Sequence, residues 1–197
     1  YWRKLFRQSR VIGRRFRLVH VFSHSKVFEV TTFRNSDSAK ANQYGTFNED
    51  VLRRDFTCNT LYFSPQSRRI FDFLGGYEDI KSGILKTVLP PSESFLEDPV
   101  RMIRAVKYSK IGKFSIRPQY QNLIRKKASL LNQCSAVRLT DELIKVLSSS
   151  VAHDIVKMLY KLGLFSVLVP QIASTIGFNF SKSALSKRLL LLDKKII

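Results

Sequence analysis

The sequence predicts an α+β fold, with a mixed or antiparallel sheet and helices over residues 1–96 and an all-helical continuation after them. Two observations predict it. Residues 18–22 and 26–33 alternate like strands, and residues 60–63 and 69–73 read as the two arms of a hairpin. Beyond Pro99 the apolar spacing turns helical almost throughout, punctuated by Pro118, the Ser148-Ser149-Ser150 run and Pro170. The composition shifts near Glu97, which places a boundary there. Three segments are therefore expected: residues 1–96, residues 97–172, and an apolar, basic stretch at 173–197 that reads as the start of a further helical body.

Taken in order, residues 2–8 suit a short helix. Residues 11–21 read as a strand with Arg15 and Arg17 on a solvated side and Phe16 and Leu18 on the other. The polar turn Ser23-His24-Ser25 joins the next two strands, and residues 35–48, polar and containing Gly45, form a loop. Residues 48–55 look helical, with Leu52 and Phe56 as apolar contacts. A hairpin follows across Ser64-Pro65-Gln66-Ser67-Arg68, then a turn at Gly75-Gly76, a helical turn at 77–82 and an extended stretch at 88–91. Pro99 fits a first helical position, where its missing N–H costs nothing, and Asp98 stands where an N-cap belongs. A helix at 138–147 is expected to take Thr140 as its cap, and an amphipathic helix at 151–164 meets its stop at Gly163.

Composition narrows the partners. Thirty-four Lys and Arg against 15 Asp and Glu give a net charge of +19, which points to a polyanion, nucleic acid before an anionic membrane surface. Hydrophobic residues make up 44%, enough for a real core. No apolar run approaches the roughly 18 residues of a membrane span. Tyr1-Trp2-Arg3-Lys4 leads into no apolar stretch, so no signal peptide is expected. Cys58 and Cys134 make neither a metal spacing nor a disulfide framework, and His20, His24 and His153 are scattered. A cytoplasmic, reducing location fits.

The segment Glu97-Asp98-Pro99-Val100-Arg101-Met102-Ile103-Arg104 carries the sharpest chemistry. Asp98, Arg101 and Arg104 are spaced by three and project from one side of a helix. A carboxylate beside a guanidinium reads a nucleobase edge: the carboxylate accepts from an exocyclic amine and the guanidinium donates to the neighbouring ring nitrogen. Adenine and cytosine offer that edge. Guanine and uracil present a carbonyl and an N–H, leaving buried groups unpaired. The same spacing also describes an ordinary capped, salt-bridged helix start. Lys107, Lys110, Lys113, Arg117, Arg125, Lys126 and Lys127 follow, and read either as an RNA-attracting face or as a solvated helical surface. No aromatic residue is singled out as a stacking platform.

Further blocks accompany that segment. Val11-Ile12-Gly13-Arg14-Arg15-Phe16-Arg17-Leu18-Val19-His20-Val21 comes first, then Arg53-Arg54-Asp55-Phe56-Thr57-Cys58-Asn59, then Asp72 with Gly75-Gly76 and Asp79, then the Glu97 segment. This succession, from the first residue to about Ile172, resembles the class II nucleotidyltransferases, the bacterial poly(A) polymerases and tRNA CCA-adding enzymes. The Arg14-Arg15-Phe16-Arg17 signature resembles the poly(A) polymerase branch.

The resemblance implies a nucleotidyltransferase head at 1–96, a nucleotide- and RNA-binding neck at 97–172 and a body beyond it. It implies template-independent addition of AMP from ATP to RNA 3′ ends. The alternatives are a CCA-adding enzyme acting on tRNA and a non-catalytic RNA-binding relative; no membrane partner is implied. Arg53, Arg54, Asp55, Asn59, Asp98, Arg101 and Arg104 take nucleotide-binding roles, and Arg14, Arg15 and Arg17 contact phosphate or RNA. Glu29 matches the third carboxylate of a two-Mg2+ site, and is otherwise a solvent-facing strand residue. The Asp-x-Asp pair that completes such a site occurs nowhere in the sequence. The chain is therefore expected to be a fragment that begins after that pair, with little or no activity of its own.

Overall fold

The computed structural model describes residues 2–12, 18–35, 44–176 and 179–196. They form two compact units, Tyr1–Arg54 and Asp55–Ile197. In the first, α1 (Trp2–Leu5) leads into β1 (Ser9–Ile12), β2 (Leu18–Ser23) and β3 (Lys26–Val30), paired antiparallel in sequence order. Val11–Val21 is thus two strands and not one, because Ile12 pairs with Leu18. The turn after β2 places His24 at φ 53, and Val19 and Val21 are buried on one face. Helix α2 (Phe47–Leu52) starts from a reciprocal cap: Thr46 Oγ1 accepts from Glu49 N–H, and Glu49 Oε2 accepts from Thr46 N–H at 2.6 Å. Those bonds from Thr46 hold the Glu49 carboxyl below its ordinary value.

The second unit opens with a 3-10 turn at Thr57–Asn59 and the hairpin β4 (Leu61–Ser64) and β5 (Arg69–Asp72). Helix α3 (Gly76–Lys81) begins after Gly75 at φ 70, a left-handed position suited to glycine. Gly76 lies so close to the Thr57 carbonyl that an added Cβ would sit 2.2 Å from its oxygen.

Helix α4 (Pro91–Glu97) was not legible as a helix. Its double proline reads as extended chain, yet Pro91 occupies the first turn, where a missing N–H is harmless. Helix α5 (Val100–Ile111) is the centre of the unit, burying Val100, Met102, Ile103, Ala105 and Val106. Against it pack α4, α7 (Ala136–Leu147) and α8 (Ala152–Lys161); α6 (Pro118–Lys127) packs on α4, α9 (Leu164–Leu168) and α11 (Ala184–Asp193) on α8, and α10 (Pro170–Ile176) on α9.

Helix α7 starts at Ala136 behind Ser135, two positions before the expected start, and Thr140 lies within it. Helix α8 buries Ala152, Ile155, Val156 and Leu159 at helical spacing, and Gly163 at φ 77 ends its run. Asp193 caps α8 from α11, accepting from the N–H groups of Ala152 and His153 at 2.8 and 3.0 Å. The compact units part upstream of the Glu97 composition shift because Phe56 and Leu85 belong to the same core as α5 and α8. That core also takes in Phe180 and Leu189, and α10 runs across residue 172. No described helix is long and apolar enough to cross a membrane.

Candidate nucleotide-binding site

In the second unit a chain of charges links the 3-10 turn to α5 and α7. Asp55 is buried, and its Oδ1 accepts from the Phe56 N–H and from Asn59 Nδ2, both at 2.9 Å. Its Oδ2 accepts from Arg104 Nε at 2.7 Å. Arg104 also donates through Nη1 to Glu142 Oε1 at 3.3 Å and through Nη2 to Tyr108 Oη at 3.2 Å. Burial works against the Arg104 charge, but Asp55 outweighs it, so the guanidinium holds its proton more tightly than usual.

Glu142 is the hub that sequence reasoning missed. It is 5% exposed and meets Lys107 Nζ at 2.6 Å, Lys145 Nζ at 3.1 Å and Arg104. Burial alone would raise the Glu142 carboxyl, and the bonds from Lys107 and Lys145 bring it below its ordinary value. Burial lowers Lys107, with Glu142 partly offsetting the effect. Lys107 is therefore a buried structural cation and not part of an RNA-attracting face, whereas Lys113, Arg117, Arg125 and Lys126 are exposed. A signal for Glu142 was present in the sequence. It falls on the apolar stripe Leu139–Leu143–Val146, where an acid needs a buried cation. The Cys58 thiol is pushed up to about 11, by burial first and by the Asp55 charge second. It is thus a poor nucleophile.

The base-reading candidates do not pair with one another. Arg101 is 8% exposed and turns back onto α4, donating through Nη1 to Glu97 Oε2 at 2.7 Å and to Ser94 Oγ at 3.2 Å. Asp98 is the C-cap of α4 and Pro99 the N-cap of α5, so the expected Asp98 cap lies one residue early; Asp98 Oδ1 still accepts from the Val100 N–H at 3.2 Å, and its Oδ2 accepts from Arg138 Nη2 of α7 at 2.7 Å. Arg101 and Arg104 lie on α5 and Asp98 just ahead of it, and each side chain is held by a different partner. The reason is α4, which brings Ser94 and Glu97 to Arg101.

In the first unit, Arg54 clamps the buried Asp50 with Nε at 3.0 Å and Nη2 at 2.6 Å, and the Arg34 N–H donates to the same carboxylate. Arg53 is half-buried. Glu29 stands on β3, opposite His20 on β2, with Oε1 3.4 Å from His20 Nε2. Among the described residues no group of three His, Cys, Asp or Glu side chains could hold a metal ion. Glu29 alone does not fit a two-Mg2+ centre, so no step is derived through one. Arg14, Arg15 and Arg17 lie outside the described residues.

The chain is similar in sequence and fold to known proteins. Residues 2–86 match the model of the poly A polymerase head domain, and residues 113–176 match that of a probable RNA and SrmB-binding site of polymerase A. Poly(A) polymerase I of Escherichia coli O157:H7 is 37% identical over 188 residues, which cover 86% of this chain and 40% of that protein. The CCA-adding enzyme of Bacillus subtilis is 30% identical over 173 residues, 84% of this chain and 43% of the relative. The chain thus spans about two fifths of the length of the curated relatives it matches. Among solved structures, the Bacillus stearothermophilus CCA-adding enzyme in complex with CTP superposes with a TM-score of 0.72 at 30% identity, covering 96% of this chain and 45% of that one. A tRNA nucleotidyltransferase complexed with a primer tRNA and an incoming ATP analog shares the fold, with a TM-score of 0.71 at 20% identity over 97% of this chain and 62% of its own.

Proposed function

Because the chain belongs to the class II nucleotidyltransferase family that unites bacterial poly(A) polymerases and CCA-adding enzymes, we propose that it is the nucleotide- and RNA-handling part of a template-independent RNA nucleotidyltransferase. The proposed reaction adds AMP from ATP to RNA 3′ ends. The observation that carries the nucleotide role is the Glu97–Arg101 clamp beside the capped Asp98. Arg101 is fixed from behind by an acid and a hydroxyl, and Asp98 is fixed by a backbone N–H and Arg138. Two groups of opposite sign are therefore held in place by the chain's own side chains and backbone. That preorganisation lets a protein face discriminate bases, since a wrong edge leaves buried groups unpaired.

By acceptor count, Asp55 can take one more donor. An ionised carboxylate offers about four acceptor positions, and the Phe56 N–H, Asn59 and Arg104 fill three of them. A ribose 2′-hydroxyl suits the fourth and would favour ribonucleotides. Arg53 and Arg54 supply positive charge for the triphosphate, with Arg14, Arg15 and Arg17 as further phosphate or RNA contacts. The functional division at residues 96 and 172 and a cytoplasmic location form part of the same reading.

Both branches share the Glu97 segment, so the choice of AMP rests on the Arg14-Arg15-Phe16-Arg17 signature and on the 37% identity to Poly(A) polymerase I. The CCA-adding alternative is supported by the 30% identity to a CTP-bound enzyme. Primer extension with the longest natural protein containing this segment separates them. Long A-tracts on an oligo(A) primer from ATP support the proposal. Extension confined to tRNA lacking its CCA end, with CTP required, overturns it. The 197 residues alone, with a single candidate metal carboxylate, are expected to show no AMP addition.

A further inference from the structure

Glu142 reaches the Asp55 carboxylate through a single side chain, Arg104. Asp55 Oδ1 takes two donors, the Phe56 N–H and Asn59 Nδ2, both at 2.9 Å. Each carboxylate oxygen offers about two acceptor positions. The remaining one is therefore on Oδ2, the oxygen that Arg104 Nε holds at 2.7 Å. A hydroxyl bound there shares Oδ2 with that N–H, so its place is set by the direction in which Arg104 holds the carboxylate.

Arg104 is a planar fork, and all three of its nitrogens are engaged. Nε meets Asp55, Nη2 meets Tyr108 Oη at 3.2 Å, and Nη1 meets Glu142 Oε1 at 3.3 Å. Tyr108 packs edge-on against Phe56, the neighbour of Asp55, with ring centroids 5.9 Å apart. Asp55 and Tyr108 thus belong to one patch between the 3-10 turn and α5. Glu142 comes from α7 and ties the guanidinium to a third element. Its own oxygens are fixed, Oε2 by Lys107 at 2.6 Å and Oε1 by Lys145 at 3.1 Å. A fork pinned at three ends has one orientation. Pinned at two ends from one patch, it can pivot and carry the Asp55 carboxylate with it. A hydroxyl bonds a carboxylate over about 2.5 to 3.0 Å and not at about 3.6 Å, so a pivot of less than about 1 Å releases it.

The geometry points to Glu142 as the positioning residue for sugar recognition: through Arg104 it fixes Asp55 Oδ2 for the 2′-hydroxyl of a ribonucleoside triphosphate. The inference rests on the reading of Asp55 as the ribose acceptor. It adds that this selectivity is held from α7, inside the 113–176 segment matched to RNA binding. Glu142 acts on the sugar preference through Arg104 and needs no contact with the nucleotide.

Competition of ATP and 2′-deoxy-ATP against a fluorescent ATP analogue, on the full 197-residue chain, reads the sugar preference as a ratio of affinities. A variant that only unfolds part of the population weakens both nucleotides alike and leaves the ratio unchanged. Wild-type chain is expected to favour ATP by about tenfold or more, the worth of one hydrogen bond to a charged group. Glu142→Gln keeps the shape but not the charge, and is expected to bring the ratio to within about threefold of unity. Lys107→Met with Glu142→Leu removes the buried ion pair from both sides, which restores folding, and should show the same low ratio. Asp55→Ala should abolish the preference. If the wild-type chain prefers ATP, Asp55→Ala loses that preference and the double variant keeps it in full, the positioning role is wrong while Asp55 remains the ribose acceptor. If Asp55→Ala keeps the preference, or the wild-type chain binds the two nucleotides equally or binds neither, the ribose reading fails and the inference with it.

Discussion

Replacing Glu142 with alanine removes the acid that three cations share, and its cost can be worked from the structure. Lys145 is 58% exposed on its side chain and loses little when its partner goes. Arg104 keeps Asp55 at 2.7 Å. The loss therefore centres on Lys107, whose side chain is 5% exposed and whose ammonium lies 2.6 Å from the carboxylate. Breaking a buried pair from one side costs about 3 to 5 kcal/mol. Burial already weakens the hold of Lys107 on its proton, so it can neutralise once Glu142 is gone, which favours the lower end of that range. A loss of about 3 kcal/mol is a large share of the 5 to 15 kcal/mol typical of a folded domain.

Urea unfolding followed by far-UV circular dichroism, which reads the helices of the second unit, measures it. The companion Lys107→Met with Glu142→Leu should recover most of the loss, because a buried ion pair replaced by apolar groups is often neutral. A single-substitution cost below about 1 kcal/mol, or a double variant as unstable as the sum of its parts, would refute the reasoning.

Other outcomes follow from the same geometry. Glu142 ionises more readily in the folded chain than in the unfolded one, so its stabilisation is complete above the ordinary carboxylate range. It is lost as pH falls through the depressed folded value; thermal melts across that acid range should show this fall, and Glu142→Gln should flatten it. Gly76→Ala drives a Cβ against the Thr57 carbonyl, which must shift, and should destabilise the second unit by about 1 to 3 kcal/mol in urea. Asp55→Asn leaves Arg104 with a weaker partner at a partly open position and should cost about 2 kcal/mol, measured the same way. Glu97→Gln releases Arg101 from its clamp and is expected to reduce discrimination of ATP from GTP by about tenfold, roughly 1.4 kcal/mol, in equilibrium binding.

Much of this arrangement could be read from residue order. The alternation at 18–22 and 26–33 gave β2 and β3, and the hairpin and the Gly75-Gly76 turn fell where turn chemistry placed them. The expected cap is displaced by one residue: α5 begins at Val100 behind Pro99, and Asp98 closes α4 while its carboxylate still accepts from the Val100 N–H. What escaped depends on contacts distant in sequence. Helix α4 hid behind two prolines, and with it the partners that turn Arg101 away from Asp98. Glu142 lies 35 positions from Lys107 and 38 from Arg104, so no local spacing announces their meeting. Arg54 follows the same logic at short range: its partner Asp50 sits one helical turn back, an i,i+4 pair that motif matching does not weigh.

The measurement that bears most directly on the central claim is equilibrium binding of the four ribonucleoside triphosphates to the 197-residue chain, with Arg101→Ala as the comparison. The account predicts that ATP and CTP bind at least tenfold tighter than GTP and UTP, and that the preference collapses in the variant. Equal affinity for all four, or a preference that survives the loss of Arg101, would contradict it.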